Sequence, residues 1–503
     1  MKTETAYHNW QLFLAGNQVI SPAVVANEIS NDFTRQAASG RMPDLRAIDL
    51  LCEMAVLEGN FQLRKAAVAA LYKNIIEPLC DDFTSAGVRM CNLALLRMIG
   101  FLRLQPEGQG LHNLLNELHY PVQDLLLQRF EKIKQPSVLS ASLKKNIKKI
   151  LILSRVTVGA DVAIVSIMVH RLLRSFPRAD IIVFGPPHLP EIFFGMDRVH
   201  WEKIHYQRDG GLIGRLTSYT YLYQLLQNEW HGLHDGQTLL FDPDSRLSQL
   251  GLLPLIDDRY YCYFPSRLDQ QIDDSRLSQL TNRWLNHILA EEVNLLPQIS
   301  IRSAHLADIK SFFAQFPETC KKIVINFGVG NDARKRLADP FEEKLLAGLL
   351  QQENAIVVLD SGSHPDERER ARGLMEIMAS QSFPTAAVSE KTLTTKKIPF
   401  QHGLVCIQGG IGMLAALIDQ ADIFLGYDSC CQHLATARGT RSIICFAGAP
   451  NDRFFDRWRP LDKSGSTTTI RIHDSSNLAE GELTQLSEKI RGLIFTIHSG
   501  IEL

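Results

Sequence analysis

What most limits the fold of this chain is a pattern that begins near residue 149. A short, continuously apolar run is followed by a loop and an amphipathic stretch, and the cycle then repeats. The runs are KKILILSR (148–155), ADIIVFG (179–185), QTLLFDPD (237–244), KKIVINFGVG (321–330), NAIVVLDSG (354–362), GLVCIQGG (403–410), ADIFLGYDS (421–429) and RSIICFAG (441–448). Strands that are apolar at nearly every residue are buried on both faces, and the intervening helices supply the cover, which specifies parallel sheets. The runs fall into two arrays, about 150 to 310 and about 320 to 480, separated near FAQFPETCKK. Two doubly wound units facing each other form a cleft where the C-terminal ends of both sets of strands meet, and ligands of such folds bind at those ends.

Ahead of these arrays, residues 1 to about 135 read as helical. AVLEGNFQLRKAAVAALYKNI and GVRMCNLALLRMIGFLRL place apolar residues at helical spacing, with breaks at Gly59-Asn60 and at 107–110. The expected organisation is an all-α domain over 1–140 followed by α/β domains over 148–315 and 320–503. A chain of 503 residues is too long for one core. Lys plus Arg (53) nearly balance Asp plus Glu (55), and the net charge of −2 argues against a general nucleic-acid binder. Nine cysteines show no framework or metal-knuckle spacing, which fits a reducing compartment. No apolar run approaches the ~20 residues of a bilayer span, and MKTETAYHNW carries no secretory signal pattern. A cytoplasmic location is therefore expected, with contact at the inner face of the membrane as an alternative.

The segment ADIFLGYDSCCQHLATARGTRSIICFAG (421–448) ends a buried strand at Asp428-Ser429 and starts a short helix at once. A carboxylate and a hydroxyl there can cap the helix. The same helix start offers N–H donors and a positive dipole end to an anion. His433 follows about one turn in. Taken alone, capping and packing account for these residues as well as ligand binding does.

The longer run QGGIGMLAALIDQADIFLGYDSCCQHLATARGTRSIICFAGAP (408–450) resembles the donor-site segment of glycosyltransferase family 9, the ADP-heptose:lipopolysaccharide heptosyltransferases. Over about residues 148–495 the resemblance implies a GT-B fold of two facing Rossmann-like domains, here preceded by an all-α N-terminal domain. The family opens with a strand and R-x-S-x-x-G-D-V, and ILILSRVTVGADVAIV places Arg155 and Asp161 at the matching spacing, with Ala160 at the glycine. The resemblance implies that Asp161 is the general base. A carboxylate at a strand-to-helix turn suits that role, and an acid that merely favours the helix dipole is the plainer account. In INFGVGNDARKRLADP, Gly328, Gly330 and Asn331 would let the backbone approach a diphosphate. Lys335 best matches the family lysine that meets charge on the leaving group, with Arg334 beside it. Gly409 and Gly410 would pass the nucleotide base, and Asp428, Ser429, Cys430 and His433 complete the donor side. Arg155, Asp242, Asp244 and Arg246 are the acceptor-side candidates, with Gln249 next to them. DSRLSQL at 244–250 recurs at 274–280.

The expected function is an inverting glycosyl transfer that needs no metal or other cofactor. The sugar, heptose by resemblance, would pass from a nucleotide-diphosphate donor to a hydroxyl. Lipopolysaccharide is the acceptor the family suggests; another glycan, a lipid-linked saccharide or a protein are alternatives. The chain departs from the family pattern at Cys430, where a glycine is usual, at Leu337, where a tryptophan is usual, and at His364, near the place of a ribose-binding acid. Two rival readings follow. One is a nucleotide-sugar epimerase or hydrolase, with His364 or His402 as extra acid–base groups. The other is a non-catalytic scaffold carrying a degenerate transferase domain. The final helix, LTQLSEKIRGLIFTIHS, is placed to pack back across the junction.

Overall fold

The computed structural model describes residues 3–16, 21–204, 206–207, 210–230, 236–269, 274–330, 332–462, 465–473, 475 and 478–495. Two wholly parallel sheets form from the apolar runs. The first holds β1 (Lys149–Leu153), β2 (Asp180–Gly185), β3 (Val199–Lys203), β4 (Thr238–Asp242) and β5 (Tyr261–Tyr263), in the order β3-β2-β1-β4-β5. The second holds β6 (Lys321–Asn326), β7 (Ala355–Asp360), β8 (Thr385–Ser389), β9 (Gly403–Gln408), β10 (Ile423–Tyr427), β11 (Ser442–Ala447) and β12 (Thr467–Ile472), in the order β12-β11-β10-β6-β7-β9-β8. In each sheet the winding reverses beside the first strand, between β1 and β4 and between β6 and β10, so the loops leaving those strands splay apart and open a crevice.

Alternation along each strand decides what lies on either face. Ile150 and Ile152 of β1 point into a core shared with Val324, Val358 and Phe424 of the second sheet, so one apolar layer runs between the two sheets. Leu151 and Leu153, on the opposite face, pack with Leu71, Ile75, Leu95 and Phe130 of the N-terminal helices. The helical region therefore covers the first sheet and shares its core. Ile325, Val357 and Leu425 face a third core on the far side of the second sheet. The order of layers is helices, first sheet, helices, second sheet, helices.

The helical region includes Arg46–Val56, Phe61–Ala69, the short helix Glu77–Asp81 and the long helix Ser85–Arg103. Thr84 caps the last of these, its Oγ1 accepting from Gly87 N at 3.0 Å. Ser85–Arg103 is, among the described residues, the one helix long and apolar enough to cross a membrane, and 56% of its apolar window is buried inside the protein. Helix Glu480–Phe495 does not cross back to the first sheet as the sequence suggested. It packs in the third core, where Lys344 Nζ holds Glu480 at 2.6 Å and Thr484 Oγ1 at 2.9 Å. The reason is its apolar face, Leu483, Ile490 and Ile494, which is buried against that side of the second sheet.

Candidate active site

A cleft of about 1000 Å3 opens where the helical region, the first sheet and the second sheet meet. Its walls are strongly basic. Arg64, Lys65 and Lys73 come from the helical region; Arg155, Arg215, Arg246 and Arg267 come from loops and helices of the first sheet; Arg334 and Lys335 come from the loop after β6. Among the described residues, three carboxylates, Glu77, Asp81 and Asp332, stand against these nine cations. Tyr72, Tyr206, Phe454 and Trp458 add aromatic surface. Such a cleft attracts an anionic ligand and offers rings for a flat or apolar part of it.

On the first-sheet wall the key side chain is Arg155, directly after β1. Its Nη1 donates to Ser266 Oγ at 2.7 Å, and no described carboxylate pairs with it. It is almost wholly buried, and burial together with the neighbouring Arg267 pulls its pKa down to about 10. Asp244 and Asp161 offset part of its charge at a distance, and an anion entering the cleft would pair with it directly. Arg267, after β5, is fixed by Asp244, with Nη1 2.5 Å from Oδ2. Asp244 in turn accepts from Tyr263 Oη and Ser266 Oγ, each at 2.8 Å. Asp242 accepts from Ser245 N at 2.7 Å and from the Ser248 and Tyr261 hydroxyls, and burial raises its pKa to about 6. Asp242 and Asp244 thus lie beneath the wall and hold it; Arg155 and Arg246 line it. Arg246 stands 3.8 Å from Glu77 of the helical region.

Asp161 is fully buried. Ser154 Oγ donates to one of its oxygens and Arg155 N to the other, each at 2.7 Å. Burial pushes its carboxyl up to about 7, against the pull of those two donors. In this arrangement its oxygens fasten the loop that carries Arg155, and the cleft wall is formed by Arg155, Thr157 and Ala160 instead.

The second-sheet wall is built at the β6–β10 reversal. Lys335 Nζ donates to Asp428 Oδ2 at 2.6 Å and sits 5.2 Å from the centre of the Phe454 ring. Burial lowers the lysine pKa, but Asp428 outweighs it and the ammonium stays above its ordinary value. Gln432 Nε2 donates to the other Asp428 oxygen at 2.7 Å. Gly448, at φ +71°, lets the loop after β11 rest on this turn: a Cβ there would fall 2.1 Å from Arg334 O. Arg334 is clasped by Asp332 at 2.8 and 2.9 Å.

Ser429 caps the helix Cys430–Arg438 by accepting from Cys431 N at 3.3 Å. The start of that helix is covered by the first-sheet unit: a Cβ on Gly159 would lie 2.9 Å from His433 Cδ2 and 3.2 Å from Cys430 Cα. His433 is buried in this seam, edge-on to Trp458, and burial drops its pKa to about 4, so it is neutral. Gly328 and Gly330 belong to a loop held by Glu367, which accepts from Gly330 N at 3.4 Å, while Asn331 lies outside the described residues. Gly409 and Gly410 do not line the cleft. Gly410 N donates to Glu390 and Gly412 N to Glu191, each at 3.0 Å, so those carboxylates take N–H groups at the start of the helix Ile411–Asp419. His364 caps the helix Pro365–Ser380 and is exposed.

The cleft thus brings together Arg155, Arg246, Arg334 and Lys335, with Asp428 directly behind the lysine. It leaves Gly409, Gly410, Ser429, Cys430 and His433 off its wall. Sequence reasoning missed Arg267, Arg215, Tyr72, Asp81 and Trp458. Arg267 follows a strand end, the signal used elsewhere, but the three-residue β5 is too short to be read from its apolar pattern.

No family model and no curated protein matches the chain. Solved structures do. A crystal structure of a glycosyl transferase family 9 protein from Veillonella parvula aligns over 71% of this chain and 99% of its own, at 13% identity and a TM-score of 0.50. The E. coli ADP-heptose LPS heptosyltransferase II aligns over 69% of this chain and 98% of its own, at 15% identity and a TM-score of 0.43. An E. coli heptosyltransferase solved with ADP aligns over 68% and 99%, at 15% identity and a TM-score of 0.43. Together with the two facing parallel sheets, the first of these likenesses establishes the fold: this is a GT-B architecture with an N-terminal helical region added to it.

Proposed function

We propose that the chain is a glycosyltransferase that moves a sugar from a nucleotide-diphosphate donor to a hydroxyl acceptor. The observation that carries this reading is the basic cleft between the strand ends of two GT-B sheets, with Lys335 and Arg334 on one wall and the unpaired, buried Arg155 on the other. A departing nucleoside diphosphate gains charge as the glycosidic bond breaks, and preplaced cations in a partly dry cleft stabilise that charge. Lys335, held by Asp428 and Phe454, is placed for the β-phosphate, and Arg334 assists. Arg155, Arg246 and Arg267 face the acceptor side. Heptose and ADP are the sugar and nucleotide that the sequence resemblance favours, and a glycan bearing acidic groups suits the basic wall. A single displacement at the anomeric carbon inverts it and needs no protein nucleophile.

A second reading, a non-catalytic scaffold whose degenerate donor site takes no nucleotide, is favoured by one observation: the start of helix Cys430–Arg438 is closed by Gly159. A thermal-shift panel of ADP, GDP, UDP and CDP, each with and without Mg2+ and repeated on Lys335→Met, tests both. At a hundredfold excess over Kd a ligand of the native state adds about 2.7 kcal/mol, a rise of several degrees. A shift for one diphosphate that Lys335→Met loses supports the transferase site. No shift with any of the four sinks it.

A further inference from the structure

Of the three described carboxylates on the cleft wall, two are engaged. Asp332 clasps Arg334 through both oxygens, and Glu77 faces Arg246 at 3.8 Å. The third, Asp81, ends the short helix Glu77–Asp81 of the helical region, and among the described residues its carboxylate accepts no hydrogen bond. It is half-buried, not sealed, in contrast to Asp161 with both oxygens taken. Its backbone is tied across the cleft mouth: Asn451 Nδ2 donates to Asp81 O at 3.4 Å and Arg453 Nε to Asp82 O at 2.6 Å, while the Phe83 ring packs tilted beside Phe454 with ring centres 6.4 Å apart. These ties belong to the same loop and helix that carry Phe454, the ring under Lys335. Asp81 is thereby held between the first-sheet arginines and the donor-side lysine. The charged groups that face it are Arg267, Arg246, Glu77, Lys335 and Arg334, and burial holds its carboxyl above the ordinary value against the pull of the cations.

Resting on the transferase reading above, we propose that Asp81, supplied by the helical region, is the general base that takes the proton from the acceptor hydroxyl. As the acceptor oxygen bonds to the anomeric carbon, the bond from that carbon to the β-phosphate oxygen breaks and its electron pair leaves with the diphosphate. The hydroxyl proton passes to the Asp81 carboxylate, and Lys335 and Arg334 meet the charge on the leaving group. Asp161 then serves as a positioning residue that fixes the loop bearing Arg155. The added helical region thereby takes part in the chemistry, because the acceptor side of the reaction is incomplete without it.

The test uses the full chain with ADP-heptose, and alongside it UDP-, GDP- and CDP-sugars, against two nucleophiles. Glycerol must lose a proton as it attacks; azide has none to lose. General-base assistance contributes about 10²–10⁴-fold. Asp81→Asn is expected to lower transfer to glycerol by that factor while leaving azide transfer and the diphosphate thermal shift at wild-type levels. The acidic limb of the kcat/KM profile for glycerol is expected to disappear with it. Retention of wild-type glycerol transfer by Asp81→Asn overturns the inference, as does an equal loss of glycerol and azide transfer, which marks a structural role. Both results leave the transferase reading standing, because wild type is active in each. Absence of transfer by wild type with every donor and both nucleophiles overturns the two together.

Discussion

Replacing Asp161 by asparagine removes a carboxylate that the fold holds without a solvent contact, and the pH dependence of stability reads out the effect. In the unfolded chain this group has the ordinary value of 3.8; in the folded protein burial takes it to about 7. The folded state therefore binds the proton more tightly. The stability this confers is fully present below the unfolded value and is lost as pH rises through the folded one. Each unit is worth 1.36 kcal/mol, so the full span is about 4 kcal/mol, of which about 3 kcal/mol falls between about pH 5 and about pH 8. Asparagine cannot titrate. The difference in unfolding free energy between wild type and Asp161→Asn should thus move by about 3 kcal/mol in favour of the variant across that range, whatever the offset at the acid end. Asp242 and Asp360, both raised to about 6 by burial, titrate in both proteins and cancel in the difference. Urea unfolding of the pair at the two pH values, followed by tryptophan fluorescence, measures it. A difference that stays flat would mean that Asp161 is solvated and ionised as an open catalytic carboxylate would be, and would refute its assignment as a sealed loop anchor.

Two further perturbations probe the walls of the cleft. Lys335→Met strands the Asp428 carboxylate, whose side chain is 7% exposed, with Gln432 as its remaining side-chain donor. The expected loss is about 2–3 kcal/mol, below that of a fully buried pair because the lysine keeps a fifth of its side chain in water, and adding Asp428→Asn should return most of it in a thermal-melt double-mutant cycle. Gly159→Ala sets a methyl group 2.9 Å from His433 and should cost about 1–3 kcal/mol as the seam yields; an unchanged melting temperature would show that the seam is loose.

The strands that carry the architecture were legible because they are apolar on both faces: β1, β2, β4, β6, β7, β9, β10 and β11 each coincide with a run read from the sequence. The remaining four, β3, β5, β8 and β12, were not. All are sheet edges, and an edge such as Val199–Lys203, with Glu202 and Lys203 exposed, has no continuous apolar signal to read. In the site, Lys335 beside Asp428 was legible because both leave adjacent central strands. Asp81 and Arg267 were not, because pairing a helical turn with a loop almost two hundred residues on depends on tertiary packing that no local pattern encodes. The repeated DSRLSQL illustrates the same limit. Its first copy is a 3-10 turn with Asp244 in the left-handed region at φ +66°, paired to Arg267; its second leads the helix Leu277–Leu289, with Asp274 paired to its own Arg276 at 2.5 Å. Identical residues took different roles because one set follows a buried strand and the other precedes a helix.

The helical region and the first sheet share one apolar core, whereas polar contacts from Asp81 and Asp82 and the Phe83–Phe454 pair link the region to the second sheet's unit. The first sheet is already joined to the second by an apolar layer, so the strip 81–83 is a second fastening between the same two halves, with Phe83 at the edge of that layer. Asp81 is thereby kept in register with Lys335 by contacts from both halves, so the two sides of the proposed chemistry share one fastening.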